Sequence, residues 1–403
     1  MIIAIIGAGA AGCFCAINLK RRIPHADIHI FEASPHPLAK VTVSGGGRCN
    51  LTNTFKDIVD LAHIYPRGHH FMKRALRTFS HNDTIAWFSK EGVKLKQQDD
   101  QRIFPVSDNA QEITGTLLRL MEEENIKLHL SHQVTQIDVT DDGYILSFSD
   151  IRQNKYHSSH LIITCGGITS SSMFQNLHLD INTPVPSLFA FDINEPSLTS
   201  LAGITIPHCI AGITGTHFRS EGAILITHRG MSGPCILTLS SYAAQWLADN
   251  KYKGRLFVDW TGGLMEQSVI TWLNQCIANH PHKHIGSIHP EALASGIWNY
   301  LLLRCGIDKE APYISLNTKQ KNKITAVLRN DIYDIAGKCR NKGEFVTCGG
   351  IAFSNVNPVT LECRQHPRLY FAGEILDIDA VTGGFNLQAA WTSAYIVANS
   401  ISF

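Results

Sequence analysis

A chain of 403 residues is longer than the roughly 250–300 residues over which one hydrophobic core keeps growing, so it is expected to divide into domains. With 44% apolar and 17% charged residues it is neither disordered nor fibrous. Its formal charge of +1 gives no reason to expect nucleic acid or an acidic membrane surface as a partner. Eleven cysteines, irregularly spaced and without a Cys-x-x-Cys, argue against a disulfide framework, a zinc ribbon or a dithiol centre, and they suit a reducing cytoplasm.

Ile2 to Ile6 is a short β-branched run, Gly7-Ala8-Gly9-Ala10-Ala11-Gly12 follows at once, and Cys13 to Arg22 has helical composition. The uncharged stretch Met1 to Leu19 is not read as a signal anchor. Its flanking charges, Lys20 to Arg22, come after the apolar run, and glycines interrupt that run at a strand-to-helix turn. In this turn Gly7 lets the chain bend, Gly9 lets backbone approach a pyrophosphate, and Gly12 lets the helix lie on the strand. The helix start then offers unpaired N–H groups to phosphate. Ile28 to Glu32 reads as the next parallel strand, and it ends in a carboxylate twenty residues after Gly12. An acid there pairs with a free ribose 2′-hydroxyl, as in FAD or NAD. Cys13 and Cys15 are read as core fillers.

Lys40 to Asn53 contains Ser44-Gly45-Gly46-Gly47-Arg48-Cys49-Asn50, a loop whose glycines suit backbone wrapped around a ligand, with Arg48 supplying charge and Asn50 amide donors. Helices are expected over Asn82 to Gly92 and Asp108 to Glu124, the latter begun by Asp108 with Gln111 in a capping box. Val134 to Val139 and Tyr144 to Phe148 flank Asp142-Gly143 as a hairpin, and His160 to Gly167 is a buried strand ending in a glycine pair. Ile204 to Ile206, His208 to Ile213, Ala223 to Thr227 and Arg255 to Trp260 alternate as strands. Glu266 to His280, Pro290 to Cys305 and Thr318 to Arg329 read as helices. His280-Pro281-His282-Lys283-His284 between two of them is taken as a solvated turn in preference to a metal site. Arg368 to Glu374 is a further strand ending in Gly-acid, and Thr382 to Gln388 opens a helix running to about Ile401.

These strings resemble the FAD domain of the two-dinucleotide-binding flavoproteins. The segments Ser44–Asn53, Glu221–Pro234 and Tyr370–Gln388 are similar to those of a bacterial NAD(P)/FAD-dependent oxidoreductase family that includes aminoacetone oxidases and bile-acid ring reductases. The likeness runs from residue 1 to about 400. The chain departs from the family in Glu374, where many relatives carry Asp, in Met231, where Leu is more usual, and in a looser Ser187–Phe191, which bears on substrate choice.

The resemblance implies an α/β fold in which a doubly wound FAD-binding domain, residues 1–184 and 343–403, is interrupted by an inserted antiparallel, β-barrel-like domain, 185–262, and a small helical cap, 263–342. Pro184-Val185-Pro186 marks the exit and Phe345 to Gly350 the return. It further implies FAD held by Gly7, Gly9, Ala10, Ala11 and Gly12, by Glu32 and Lys40, and by Gly46, Gly47, Arg48, Asn50 and Thr52. Val134, Gly166, Gly373, Glu374 and Asp377 belong to the same set, as do Gly384, Phe385, Asn386 and Leu387. Near the ring stand Arg48, Cys49, His228, Arg229, Glu374 and Asp377.

No second GxGxxG is present, so NAD(P)H is expected as a transient co-substrate that delivers hydride and leaves. The expected function is reduction of a small organic substrate by a cytoplasmic enzyme with no nucleic-acid or membrane partner. Oxidation of an amine or ketone by oxygen, a plain NAD-dependent dehydrogenase and a non-catalytic flavin sensor are the rival readings. Arg48 and His228 are the catalytic candidates. His228 reads equally as a general acid or base, since imidazole titrates near neutrality, and as a structural residue at a strand end. Cys49 is a packed loop residue or a redox thiol. The substrate and the oligomeric state are not written in the sequence.

Overall fold

The computed structural model describes residues 1–150, 152, 155–168, 172–339 and 346–402. The chain forms two compact units, Met1–Val185 with Phe345–Phe403, and Pro186–Glu344. The return expected at Phe345 and the boundary between 342 and 343 lie outside the described residues.

In the first unit a five-stranded parallel sheet runs in the order Leu369–Phe371, His160–Ile163, Ile2–Ile6, Asp27–Phe31, Lys127–His129. The central strands are almost wholly apolar because both faces are covered, and Ile3, Ala4, Ile5, Leu161, Ile162 and Ile163 are fully buried. A strand from residue 369 therefore sits two places from the strand that starts the chain. The helices Ala10–Arg22 and Phe385–Ser400 pack together, the Phe14 and Trp391 rings 5.3 Å apart. The second helix is buried on nearly every side, and its polar residues are satisfied internally. Gln388 Oε1 accepts from the hydroxyls of Thr52 (2.6 Å) and Thr84 (3.0 Å), and its amide donates to Thr392 (2.9 Å).

The hairpin Val134–Val139 and Tyr144–Phe148 turns at Asp142-Gly143 and adds Tyr156–Ser158 as a third strand. The helix expected from Asp108 begins instead at Ala110, because the Asn109 side chain takes the Gln111 N–H (2.9 Å) while Asp108 adopts a left-handed conformation.

In the second unit six strands close a barrel in the order Phe191–Ile193, Gly230–Ser232, Arg219–Thr227, Thr205–Ile213, Gly254–Asp259, Asp331–Lys338. The runs expected at 204–206 and 208–213 are one strand with an irregularity between Ile206 and Cys209. The helices Glu266–Asn279, Ser295–Cys305 and Thr318–Arg329 share one hydrophobic core with the barrel, where Leu256, Val258 and Trp260 meet Leu273, Trp298 and Leu328. The second of these helices starts five residues later than the sequence implied. Among the described residues no helix is long and apolar enough to cross a membrane.

On one face of the parallel sheet His29 Nδ1 lies 2.9 Å from His129 Nε2, with Phe31, His132 and Tyr156 stacked around the pair and Asp27 and Lys127 at its edge. Burial holds both imidazoles below their ordinary pKa, and for His129 the charges of His29, His132 and Lys127 act in the same direction. The folded state thus refuses protons that the unfolded chain takes up as pH falls through about 6.5, so this contribution to stability is whole above that value and lost below it. The urea midpoint should fall between about pH 7.5 and pH 5.5, and His129→Phe, which keeps the ring stack, should flatten the fall. Identical slopes in the two proteins would exclude the pair as the cause.

Candidate cofactor site

The carboxyl ends of the first unit's strands meet at the Gly-rich turn. Gly7 donates to Phe31 O (2.8 Å), Ala8 O accepts from Leu38 N (2.8 Å), and the Thr164 hydroxyl donates to Ile6 O (3.0 Å) and Gly7 O (2.9 Å). A Cβ on Gly12 would lie 2.0 Å from Gly7 O, so only glycine lets the helix start against the strand. Gly9 is different, because a Cβ there would meet nothing within 4 Å. The helix it opens has no side-chain cap and no acid in its first turn, which leaves the N–H groups of Ala10, Ala11 and Gly12 without an intrahelical acceptor. This is an open, positively polarised backbone surface.

Glu32 closes one side. Its two carboxylate oxygens accept from Ala8 N and Ser34 N, both at 2.8 Å, and its carbonyl accepts from His132 N (2.8 Å), two residues before Val134. Glu374 closes the other. It accepts from Thr347 N (2.8 Å) and from Lys40 Nζ (2.7 Å), and Gly166 lies beside it. Gly373 donates to Ser393 Oγ (2.8 Å) and passes so close to Ala11 that a Cβ would sit 2.8 Å from the alanine methyl.

Ala39–Gly47 is not a plain loop but a short helix that unravels at Ser44, followed by three successive glycines with φ of 57°, 72° and 82°. Gly46 and Gly47 face open space. Arg48 stacks on Phe104 at 4.3 Å and stands 3.9 Å from Asp108. Cys49 is buried and its thiol is pushed up to about 12 by burial, so it stays protonated and has no thiolate character. The Asn50 amide satisfies both neighbours when its oxygen accepts from Gly384 N (2.9 Å) and its nitrogen donates to Thr52 O (3.1 Å). Gly384 opens the helix Phe385–Ser400 without a side-chain cap, leaving the N–H groups of Phe385, Asn386 and Leu387 at a bare helix start. Asn386 holds both the N–H (2.9 Å) and the carbonyl (2.8 Å) of Ala380, and Asp377 accepts from Asn182 (2.7 Å).

The first-unit candidates thus gather along two uncapped helix starts and the glycine run between them. His228 and Arg229 lie in the second unit, exposed in the turn between Arg219–Thr227 and Gly230–Ser232, where Arg229 pairs with Asp192. The segment Ile64–Gly68 was missed by sequence reasoning. Tyr65 donates to Phe385 O (2.9 Å), and Arg67 pairs with the buried Asp379. A single arginine in a loop without periodicity carries no signal of this.

Residues 1–400 match the family described as HI0933-like protein Rossmann domain. The chain belongs to that family. Among its relatives, the ribosomal RNA dihydrouridine synthase of Escherichia coli (strain K12) is 29% identical over 98% of this chain and 97% of its own. The enzyme of the same name from Haemophilus influenzae is 27% identical over 99% and 98%. A 3-dehydro-bile acid delta(4,6)-reductase of Clostridium scindens is 25% identical over 99% and 98%. The 3-ketosteroid-delta4-(5alpha)-dehydrogenase of Rhodococcus jostii RHA1 superposes with a TM-score of 0.51 over 99% of this chain and 96% of its own, at 11% identity, a likeness of fold alone. This member of the HI0933-like family has a Rossmann-type domain.

The cradle fits a dinucleotide, since the space beside Gly9 is open and two uncapped helix starts supply donors. Gly9→Ala should therefore fold with an unchanged melting temperature in the apoprotein yet bind FAD at least about tenfold more weakly, whereas Gly12→Ala should lose stability outright. Glu32→Ala should weaken FAD by roughly ten- to a hundredfold, the equivalent of about 1.5–3 kcal/mol. Fluorescence titration of apoprotein measures both, and wild-type affinity in Gly9→Ala would remove the cradle from that position.

Proposed function

We propose that this chain takes hydride from NADH or NADPH and uses it to reduce a carbon–carbon double bond conjugated to a carbonyl. The cradle of the first unit is the observation that carries the redox class. FAD, when bound there, supplies two-electron storage between the nicotinamide and the substrate. The substrate chemistry rests on what two kinds of relative are named for. Dihydrouridine is a uridine whose ring double bond, conjugated to a ring carbonyl, has been saturated. A bile acid with a ring ketone and conjugated double bonds presents the same array. Each such acceptor takes hydride at the carbon β to the carbonyl and a proton at the carbon α to it.

The residues then have distinct tasks. The backbone donors of the Gly-rich turn and of Phe385 to Leu387 bind and orient the cofactor, with Gly46, Gly47, Asn50, Thr52, Val134, Gly166 and Asp377 shaping its walls. Arg48 offers a cation to a substrate carbonyl, since its plane is fixed by Phe104. His228 is the candidate proton donor to the α carbon, being exposed in the turn before Gly230. Without a second Gly-rich fingerprint, the nicotinamide is a visitor and not a resident.

The test is anaerobic. Yellow protein should be bleached by NADH or NADPH, and the reduced protein should be recoloured at least about tenfold faster by a uridine-containing ribosomal RNA fragment or by a conjugated steroid dienone than by buffer. The two acceptors separate an RNA base from a free small molecule. Fastest recolouring by oxygen would replace the reductase with an oxidase, and no bleaching by either nucleotide would leave a flavin-holding sensor. His228→Gln should slow recolouring by about 10²–10⁴-fold while bleaching stays unchanged. Equal rates would dismiss it as proton donor.

A further inference from the structure

We infer that Arg67 is a positioning residue, which fixes the loop Asp377–Gly384 and the helix start beyond it in the conformation that faces the cofactor. The inference rests on the FAD reading of the first unit. Arg67 uses Nε and Nη2 together on the two carboxylate oxygens of Asp379, whose side chain is wholly buried. The backbones of the same two residues form an antiparallel bridge. On either side Val381 N donates to Ile64 O (2.9 Å), the Tyr65 hydroxyl donates to Phe385 O (2.9 Å), and Gly68 approaches Ile378 so closely that a Cβ would lie 2.7 Å from its Cγ1. Segment Ile64–Gly68 is therefore laid along the whole loop, and Arg67 is its one charged contact there among the described residues.

Holding a loop does not require this arrangement. The Asn386 amide already clamps Ala380, Asn53 already donates to Gly383 O (3.2 Å), and an apolar contact would avoid the desolvation of two ions. The guanidinium fork adds two things that apolar packing lacks. It fixes angle as well as distance, so the loop has one register. It also offsets a buried negative charge a few residues before the bare helix start at Phe385. Without that cation, the Asp379 carboxylate would oppose the gain of electrons by a cofactor bound at that helix start, and reduced cofactor would be held less tightly than oxidised.

The measurement is the midpoint potential of the bound flavin at saturating FAD, together with its visible spectrum and the melting temperature. Arg67→Gln is expected to lose at least tenfold in preference for reduced over oxidised cofactor, which a two-electron couple reports as a shift of about 30 mV to lower potential. Arg67→Lys keeps the charge without the fork and should recover part of the potential but not the wild-type spectrum. The double variant Arg67→Gln with Asp379→Asn removes the buried charge, and it supplies folded protein if the single variant does not fold. It should regain melting temperature while its spectrum stays altered. Folded, FAD-loaded variants whose potential and spectrum match wild type, with only the melting temperature lowered, would reduce Arg67 to a structural brace and overturn the inference. Wild-type protein that takes up no FAD would overturn the FAD reading, and this inference with it.

Discussion

Glycine backbone meets its neighbours at close range where the parallel sheet of the first unit ends, and that close approach is the constraint on which the rest depends. Gly12 sits on the carbonyl of Gly7, Gly373 sits on Ala11, and Gly384 sits on the carbonyl of Thr52. At each point a side chain would push the segments apart. Because these contacts involve backbone and nothing larger than the Ala11 methyl, they leave the surface they create almost without side chains, so a ligand there meets N–H groups and helix dipoles directly. The same approach joins residues near 10 to residues near 373, which is why the chain must leave the unit after Val185 and come back to it. The buried polar ladder from Thr52 through Gln388 to Thr392 then locks the tail helix against the early segments without exposing an unpaired group.

What the sequence displayed of this was whatever depends on local rules. The strand, Gly-rich turn and helix at residues 2–22 show up because spacing and composition are dictated within one βα unit, and the Asp142-Gly143 hairpin because two turn residues decide it. The last barrel strand, Asp331–Lys338, carried a readable alternation, with Tyr333 and Ile335 inward and Asp334 and Ala336 outward, but no flanking glycine marked it as a strand. The unravelling of the helix at Ser44 was hidden because Ala39 to Val43 has no helical signature of its own and three glycines follow Ser44. Arg67 was out of reach in principle. Its meaning comes from Asp379, more than three hundred residues away, and no periodicity links the two.

Glu374 illustrates how a departure from a family pattern can be read once neighbours are known. The two oxygens of Glu374 accept separately, one from the Thr347 N–H (2.8 Å) and one from the Lys40 ammonium (2.7 Å). The carboxylate thus ties the returning strand Val346–Ile351 to the helix that precedes the glycine run.

Net charge says little about where on a surface a partner would dock. A formal charge of +1 is a sum over the whole surface, while RNA affinity follows the number of phosphates neutralised at one place. In the second unit Lys251, Lys253 and Arg255 are all exposed within five residues, and Thr214 N donates to Arg255 O (2.8 Å), which brings the turn that carries exposed His217 and Arg219 to the same barrel end. Against these stand Asp249 in the preceding helix and Asp334, 3.8 Å from Arg255. A chain of nearly zero total charge can therefore hold a locally basic end. Near-neutral total charge is thus no measure of affinity for nucleic acid.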